Sequence, residues 1–156
     1  MGGPTKYYDY STKNMKHIFS IFYKLLKKKD FQLVVIPSMR TPLNTIHYAK
    51  EFFGENHTVI MNVDKKAYLS ALAISENIIV TCDSSSMISE AALTGKPIYI
   101  ANILPKKNDI RFQRFKNLFR ELNITRNLGE DMENWSYQSL DETNRVAKII
   151  NEKIKN

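Results

Sequence analysis

The sequence predicts an α/β fold: a Rossmann-like parallel sheet with helices on both faces, arranged in three α/β/α layers. Two observations lead to this class. Apolar runs rich in β-branched residues alternate along the chain with segments whose apolar residues recur at helical spacing. The runs are continuously apolar, as in LVVI at 33–36, which is typical of strands buried on both faces of a sheet. Because strands that alternate with helices pair in parallel, we expect one sheet of at least four strands.

Each element follows from its local pattern. Met15, Ile18 and Phe22 recur three or four residues apart, which predicts a helix. Pro42 and Gly54 suit the first and last positions of the next helix. Helices are predicted over 14–29, 42–54, 67–74, 85–94, 112–122 and 140–154, and strands over 32–37, 57–61, 77–81 and 97–101. The segment 123–136 has neither pattern and is predicted to be a loop.

Length and composition predict a single globular domain, residues 1–156. The length of 156 residues is sufficient for a hydrophobic core, and no apolar run reaches the length of a membrane span. The single cysteine, Cys82, excludes an intramolecular disulfide. Since the first residues also lack the apolar core of a signal peptide, we expect a cytoplasmic protein, with peripheral membrane association left open. Cys82 ends an apolar run and is interpreted as a small buried hydrophobic residue.

The formal net charge of +7 raises anionic partners as a possibility. The cations are spread over two helical segments, and we interpret them as solvated helix faces. One group ends the first predicted helix, where cations suit the helix dipole: Lys24, Lys27, Lys28 and Lys29. Nucleic-acid binding is a minor alternative, because no recognised nucleic-acid-binding motif accompanies the charge.

The stretch VTCDSSSMISEAALTGKPIYI, at 80–100, has the order strand, polar turn, short helix, glycine stop, strand. Ligands of parallel sheets bind beyond the carboxyl ends of the strands, and a helix N-terminus there attracts anions. Ser84 or Ser85 can cap this helix, and the remaining hydroxyls, including that of Ser86, can donate to phosphate oxygens. Glu90, one turn further, can accept hydrogen bonds from ribose hydroxyls. Plain helix capping, with Glu90 as a solvated surface residue, explains the spacing equally well.

Two further segments are predicted to reach the same edge of the sheet. Ser38, Arg40 and Thr41 follow the first strand within PSMRTP and can all donate hydrogen bonds, Arg40 in a bidentate way. Gly2 and Gly3 allow close approach of the backbone to a ligand. Each segment alone could be an ordinary turn. Because a Gly-Gly-Pro turn normally follows a strand, the sheet is expected to lack its first strand, and the chain to be part of a longer protein.

Several common sites are excluded by the sequence. It contains neither a G-x-G-x-x-G motif after a strand nor a phosphate-binding G-x-x-x-x-G-K-[ST] loop. His17, His47 and His57 lack metal-ligand spacing, so no metal or cofactor is predicted. No Ser-His-Asp arrangement is supported, and no catalytic residue is assigned.

The segments GGP, SMRTP, VTCDSSSMISEAALTGKPIYI and WSYQSLDETNRVA occur in the order found in the mitochondrial-fission-protein-like family of alphaproteobacteria and plants. That family is similar to the GT-B glycosyltransferases, in which two Rossmann-like domains face each other across a cleft. The resemblance covers nearly the whole chain but only the C-terminal half of a family member. Its most specific part is D-S-x-S-M-[IV]-S-E-A-x-x-T-G-[KR]-P.

The resemblance implies a nucleoside diphosphate sugar as the ligand, because the C-terminal domain of a GT-B enzyme holds the sugar donor. It assigns the ribose to Glu90. It assigns the diphosphate to Ser84, Ser85 and Ser86, with Arg40 and Thr41 assisting. Residues lining the cleft would be Gly2, Gly3, Ser38, Asp83 and Ser89.

The chain departs from the family pattern at two places. Met39 stands where the family often has arginine, and Lys66-Ala67-Tyr68 replaces Asn-Pro-Tyr. The N-terminal domain, which usually supplies the acceptor site and often the catalytic base, lies outside the chain. We therefore expect a nucleotide-sugar-binding domain of a glycosyltransferase-like protein that does not catalyse transfer alone. The alternative is a non-enzymatic protein-interaction module on a degenerate glycosyltransferase fold.

Overall fold

The computed structural model describes residues 1–28, 30–129 and 131–155 and shows helices alternating with strands. The last residue of the first predicted helix, Lys29, lies outside the described residues. The helices are α1 (Thr12–Lys28), α2 (Leu43–Phe53), α3 (Lys65–Ile74), α4 (Ser85–Ala92), α5 (Ile110–Glu121) and α6 (Glu142–Lys155). The strands are β1 (Val34–Val35), β2 (Thr58–Val59), β3 (Ile78–Thr81), β4 (Ile98–Ala101) and β5 (Thr125–Asn127).

All strand pairs are parallel, as the alternation of elements predicts, but they form two ladders. One ladder pairs β1 with β2, and the other has the order β3-β4-β5. A single sheet of four or more strands is therefore not formed by the described residues. Strand β5 lies inside the segment 123–136 that was predicted to be a loop.

The core surrounds β4, whose four residues are all buried. Burial of consecutive residues means that both faces of this strand are covered, in agreement with its continuous apolar sequence. Ile88, Ala91 and Ala92 pack the inner face of α4 against this core. Cys82 is confirmed as a buried residue: it is fully inaccessible, and its Sγ accepts a hydrogen bond from the Ile103 N–H at 3.2 Å.

Aromatic rings join α1 to α2 beside the smaller ladder. The Phe19 ring stacks on Tyr48 with centroids 5.2 Å apart and meets the edge of Phe53 at 5.0 Å. Trp135 packs against Tyr99 of β4 and under the Arg126 guanidinium of β5. Among the described residues, no helix combines the length and hydrophobicity needed to cross a bilayer.

Candidate functional site

Three polar segments meet where β1 and β3 end. Residues Ser38–Thr41 follow β1, and Asp83 and Ser84 follow β3. The turn at Gly2 and Gly3 lies between them and bonds to both sides. The Gly2 N–H donates to Thr81 Oγ1 at 2.8 Å, and the Thr41 hydroxyl donates to the Gly2 carbonyl at 2.5 Å. The predicted convergence of these segments at one edge is thus present in the structure.

The side chain of Asp83 joins these segments. Its side chain is fully buried and accepts hydrogen bonds from three segments distant in sequence. The donors are the Gly3 N–H at 3.0 Å, the Tyr10 hydroxyl at 2.5 Å and Arg40 Nη2 at 2.9 Å. Burial of a carboxylate is costly unless it is paired and hydrogen-bonded, and Asp83 meets both conditions. We call Gly2, Gly3, Tyr10, Arg40, Thr41, Thr81 and Asp83 the Asp83 network.

Gly2 and Gly3 are required because Asp83 and Arg40 lie too close to the turn for any side chain. A Cβ atom added to Gly2 would lie 2.1 Å from Asp83 Oδ2, and one added to Gly3 would lie 2.0 Å from the Arg40 carbonyl oxygen. Contacts this short leave no room for a side chain. The glycines therefore serve the protein's own network in this structure, whereas the sequence suggested approach of the backbone to a ligand.

Arg40 and Thr41 are both used to hold the glycine turn. Arg40 Nη1 donates to the Gly3 carbonyl at 2.9 Å while Nη2 bonds Asp83, and 43% of the Arg40 side chain stays exposed. Thr41 is buried, and its Oγ1 accepts the Ser38 N–H at 2.8 Å. Ser38 is half-buried beside it.

Tyr10 is a member of the network that the sequence analysis missed. Its hydroxyl also lies 2.8 Å from Thr81 Oγ1. Burial, followed by the nearby negative charge of Asp83 and the hydrogen bond to it, raises the pKa of Tyr10 above its ordinary value. The phenol therefore stays protonated and acts as a donor. Tyr10 lies in an irregular segment before α1, where no periodicity could have distinguished it.

The first turn of α4 follows β3 at the same edge. Ser84 is the N-cap, and its Oγ accepts from the Met87 N–H at 3.4 Å. Within residues 1–28, 30–129 and 131–155, the Ser85 and Ser86 N–H groups have no hydrogen-bond partner. Ser85 is half-buried and Ser86 is exposed. These amides and the positive end of the helix dipole are thus available to an anion.

Ser86, Ser89 and Glu90 continue along one exposed side of α4, three and four residues apart. Glu90 Oε2 accepts a hydrogen bond from the Tyr68 hydroxyl of α3 at 2.6 Å. Burial, with a further contribution from Glu90, raises the pKa of Tyr68, so this phenol also remains a donor. Among the described residues, these three side chains make no hydrogen bond to the Asp83 network.

An open polar cavity of about 310 Å³ lies elsewhere, between β4, β5 and α5. Cationic and amide side chains line it, among them Asn102, Lys116, Arg120, Arg126 and Asn127. Two of the cations are paired, since Arg126 bonds Glu133 and Lys116 lies 4.0 Å from Asp109. No sequence motif marks this cavity, because its lining comes from β5 and from scattered positions of α5.

The fold and the Asp83 network define an α/β domain of parallel strands, with a polar edge where β1 and β3 end and the N-terminus of α4 beside it. The chain belongs to the mitochondrial fission ELM1 family, whose model matches residues 1–154. This confirms the family resemblance carried by the sequence motifs.

Two curated relatives support the assignment. The uncharacterized protein RP120 of Rickettsia prowazekii (strain Madrid E) is 29% identical over 160 residues, which cover 96% of this chain and 44% of the relative. The mitochondrial fission protein ELM1 of Arabidopsis thaliana is 34% identical over 118 residues, covering 72% of this chain and 27% of the relative. The chain thus spans less than half the length of either relative. No solved structure matches it.

Proposed function

We propose that this domain binds the nucleoside diphosphate part of a nucleotide sugar at the exposed side of α4. The diphosphate would meet the first turn, at Ser84, Ser85 and Ser86, and the ribose would meet Glu90. The observation that carries the proposal is the pair of N–H groups at Ser85 and Ser86 that have no hydrogen-bond partner among the described residues. Two adjacent amides at the positive end of a helix favour a phosphate over a neutral ligand.

The position of Glu90 supports the ribose assignment. It lies one turn after Ser86 on the same side of α4, so both can contact one ligand. The Tyr68 hydroxyl engages only Oε2 of its carboxylate, which leaves Oε1 to accept from a ribose hydroxyl. Tyr68 would therefore orient Glu90 rather than block it.

Arg40 is proposed to supply positive charge near the diphosphate. Its bonds to Asp83 and Gly3 use two of the five guanidinium N–H donors, and the side chain remains 43% exposed. Because Arg40 also compensates the buried Asp83, its charge serves the fold and the ligand together.

Glycosyl transfer is proposed only for a longer protein. There an acceptor hydroxyl would attack the sugar C1, and the nucleoside diphosphate would leave with its developing charge stabilised by the α4 N-terminus. We assign no catalytic base in this chain and expect that the domain alone binds the donor without transferring its sugar.

Amide chemical shifts recorded during titration with uridine, guanosine and adenosine diphosphates test the binding proposal. We expect shifts centred on 84–90, and a smaller response to inorganic phosphate, which lacks the ribose. Glu90→Ala should reduce the nucleotide response to the level seen with inorganic phosphate, whereas Glu152→Ala, at an exposed glutamate of α6, should leave it intact. No movement at 84–90 with millimolar nucleotide would refute the proposal.

A second candidate is a protein-interaction module. It is favoured by Met39, which is 89% exposed beside Arg40 where the family often has arginine. The fission role in the name of the Arabidopsis relative fits such a module. Under this alternative, Glu90→Ala leaves partner binding unchanged, and nucleotides cause no shifts at all.

A further inference from the structure

The polar cavity of about 310 Å³ lies between one face of the β4–β5 ladder and one side of α5. Ile100 pairs with Asn127, and side chains alternate along a strand, so Ile100, Thr125 and Asn127 share the face that lines the cavity. Lys116 and Arg120 line it from α5, four residues apart and therefore on the same side of the helix. No residue of the lining belongs to the Asp83 network or to the first turn of α4.

The cavity is positively charged, and two of its cations lack a close carboxylate partner. Lys116 Nζ lies 4.0 Å from Asp109 Oδ2, at the outer limit of an ion pair. Arg120 Nη2 donates to a neutral amide oxygen at 2.6 Å, while the third cation, Arg126, is bonded by Glu133. Among the described residues, no carboxylate lines the cavity. A concave surface with one sign of charge attracts ligands of the opposite sign, so the cavity favours an anion.

Neutral hydrogen-bonding groups line the ladder side of the cavity. Asn102 Nδ2 donates to Asn127 Oδ1 at 3.0 Å, which leaves Asn102 Oδ1 and Asn127 Nδ2 without a partner in the part of the chain that the structure describes. Thr125 is buried, and its hydroxyl makes no hydrogen bond to the described residues. Groups that supply both donors and acceptors suit the hydroxyls of a ligand, which likewise donate and accept.

We propose that this cavity binds a small phosphorylated polyol, such as a sugar phosphate, independently of the ligand proposed for α4. The Cβ atoms of residues four apart on a helix are about 5–6 Å from each other, so Lys116 and Arg120 can hold one phosphate group. The hydroxyls of the ligand would meet Asn102, Thr125 and Asn127. A cavity of this volume, between a helix and a ladder, has the size of a small-molecule site, about 300–1,000 Å³.

Amide chemical shifts recorded during separate titrations with glucose 6-phosphate, inorganic phosphate and glucose provide the test. We expect millimolar glucose 6-phosphate to shift the amides over 113–120 and those of Asn102 and Asn127. Inorganic phosphate should shift the same amides but bind at least ~tenfold more weakly, because it lacks the hydroxyls. Glucose at the same concentration should shift none of them, because it lacks the charge.

Variants that remove one charge each separate a defined site from a generally basic surface. Arg120→Gln should weaken binding of glucose 6-phosphate at least ~tenfold. The matched control is Arg114→Gln, at an exposed cation of α5 outside the cavity, which should leave the affinity unchanged. Asn127→Ala should narrow the preference for glucose 6-phosphate over inorganic phosphate without weakening phosphate binding. The same spectra report whether each variant is folded.

Three results would overturn the proposal. Equal losses in Arg120→Gln and Arg114→Gln would mean attraction to overall charge rather than binding in the cavity. Equal affinities for glucose 6-phosphate and inorganic phosphate would mean that the ladder side does not recognise hydroxyls. Shifts confined to 84–90, or no shifts at all with millimolar glucose 6-phosphate, would mean that the cavity takes no such ligand.

Discussion

At the scale of single residues, the buried carboxylate of Asp83 is stable only because its partners donate hydrogen bonds to it and balance its charge. The Tyr10 hydroxyl is the neutral side-chain donor among them, at 2.5 Å. Tyr10→Phe keeps the ring and removes this donor, so a buried acceptor loses a hydrogen bond. We expect the free energy of unfolding to fall by about 1–3 kcal/mol, measured by urea denaturation. Tyr7→Phe is the matched control, since the Tyr7 hydroxyl makes no hydrogen bond among the described residues, and an equal loss in both variants would contradict this account.

Gly3 tests the close approach of the turn to Arg40. In Gly3→Ala the added Cβ would meet the Arg40 backbone, so the turn must shift and the Arg40–Asp83 pair is strained. We expect a loss of about 1–3 kcal/mol in thermal or urea unfolding. Gly129→Ala serves as the control, because nothing lies within 4 Å of its added Cβ. A Gly3→Ala variant as stable as Gly129→Ala would show that the turn is not tightly held.

The convergence of Gly2, Gly3, Arg40 and Thr41 could be predicted from the sequence because carboxyl ends of parallel strands share one edge. What they do there could not be predicted. Whether Arg40 meets a ligand or Asp83 depends on side-chain geometry, and sequence pattern carries no information on that. Tyr10 was missed for the same reason, because its role arises from a contact 73 residues away.

At the scale of elements, the helices and the strands β3 and β4 followed the predicted pattern closely, whereas β1 and β2 are shorter than predicted and β5 was not predicted. Helical periodicity is a local property, and α2 and α4 begin within a residue of the predicted starts. Strand length depends on pairing: β1 and β2 have two paired residues each, although the apolar runs are longer. β5 was missed because TRN is short and polar, and only its pairing with β4 makes it a strand.

The buried carboxylate of Asp109, at the start of α5, accepts a hydrogen bond from Tyr8 of the N-terminal segment. Its contribution to stability has a predictable dependence on pH. Burial alone would raise the pKa of Asp109, but hydrogen bonds from Tyr8 and Gln113 and the charge of Lys116 outweigh it and lower the pKa below 3.8. The folded state therefore binds this proton less readily than the unfolded state. Its contribution to stability is present above pH ~4 and is lost as the pH falls through the folded value.

Asp109→Asn should therefore destabilise the protein by about 1–3 kcal/mol at pH 6 and by less at pH 3, as measured by urea unfolding at both values. Asparagine keeps the size of the side chain but has no charge to titrate. Glu121→Gln, at the exposed end of the same helix, should show no such difference between the two pH values. A stability loss independent of pH would mean that packing, rather than the ionised carboxylate, holds Tyr8 to α5.

At the scale of the whole molecule, the two ladders differ in how firmly they are held. β3 and β4 share four paired residues, and β4 is buried throughout, whereas β1 and β2 share two pairs in which Val34 is 43% exposed. At this edge Met1 bonds the end of β1, through the Ile36 carbonyl and the Ser38 N–H, and the Asp83 network joins the ends of both ladders. Regions with less burial open at lower free energy than the core.

Native-state hydrogen exchange should therefore resolve two cooperative units. The Thr58 and Ile60 amides, bonded to β1, should exchange at least ~tenfold faster than the Ile78 and Cys82 amides on the β3–β4 side, and with a weaker dependence on urea. Gly3→Ala should widen this gap because it loosens the turn that joins both ladders, while Gly129→Ala should leave it unchanged. Equal exchange of all four amides would contradict the division, since it would mean that the Met1 pairing and the Asp83 network already couple both ladders into one unfolding unit.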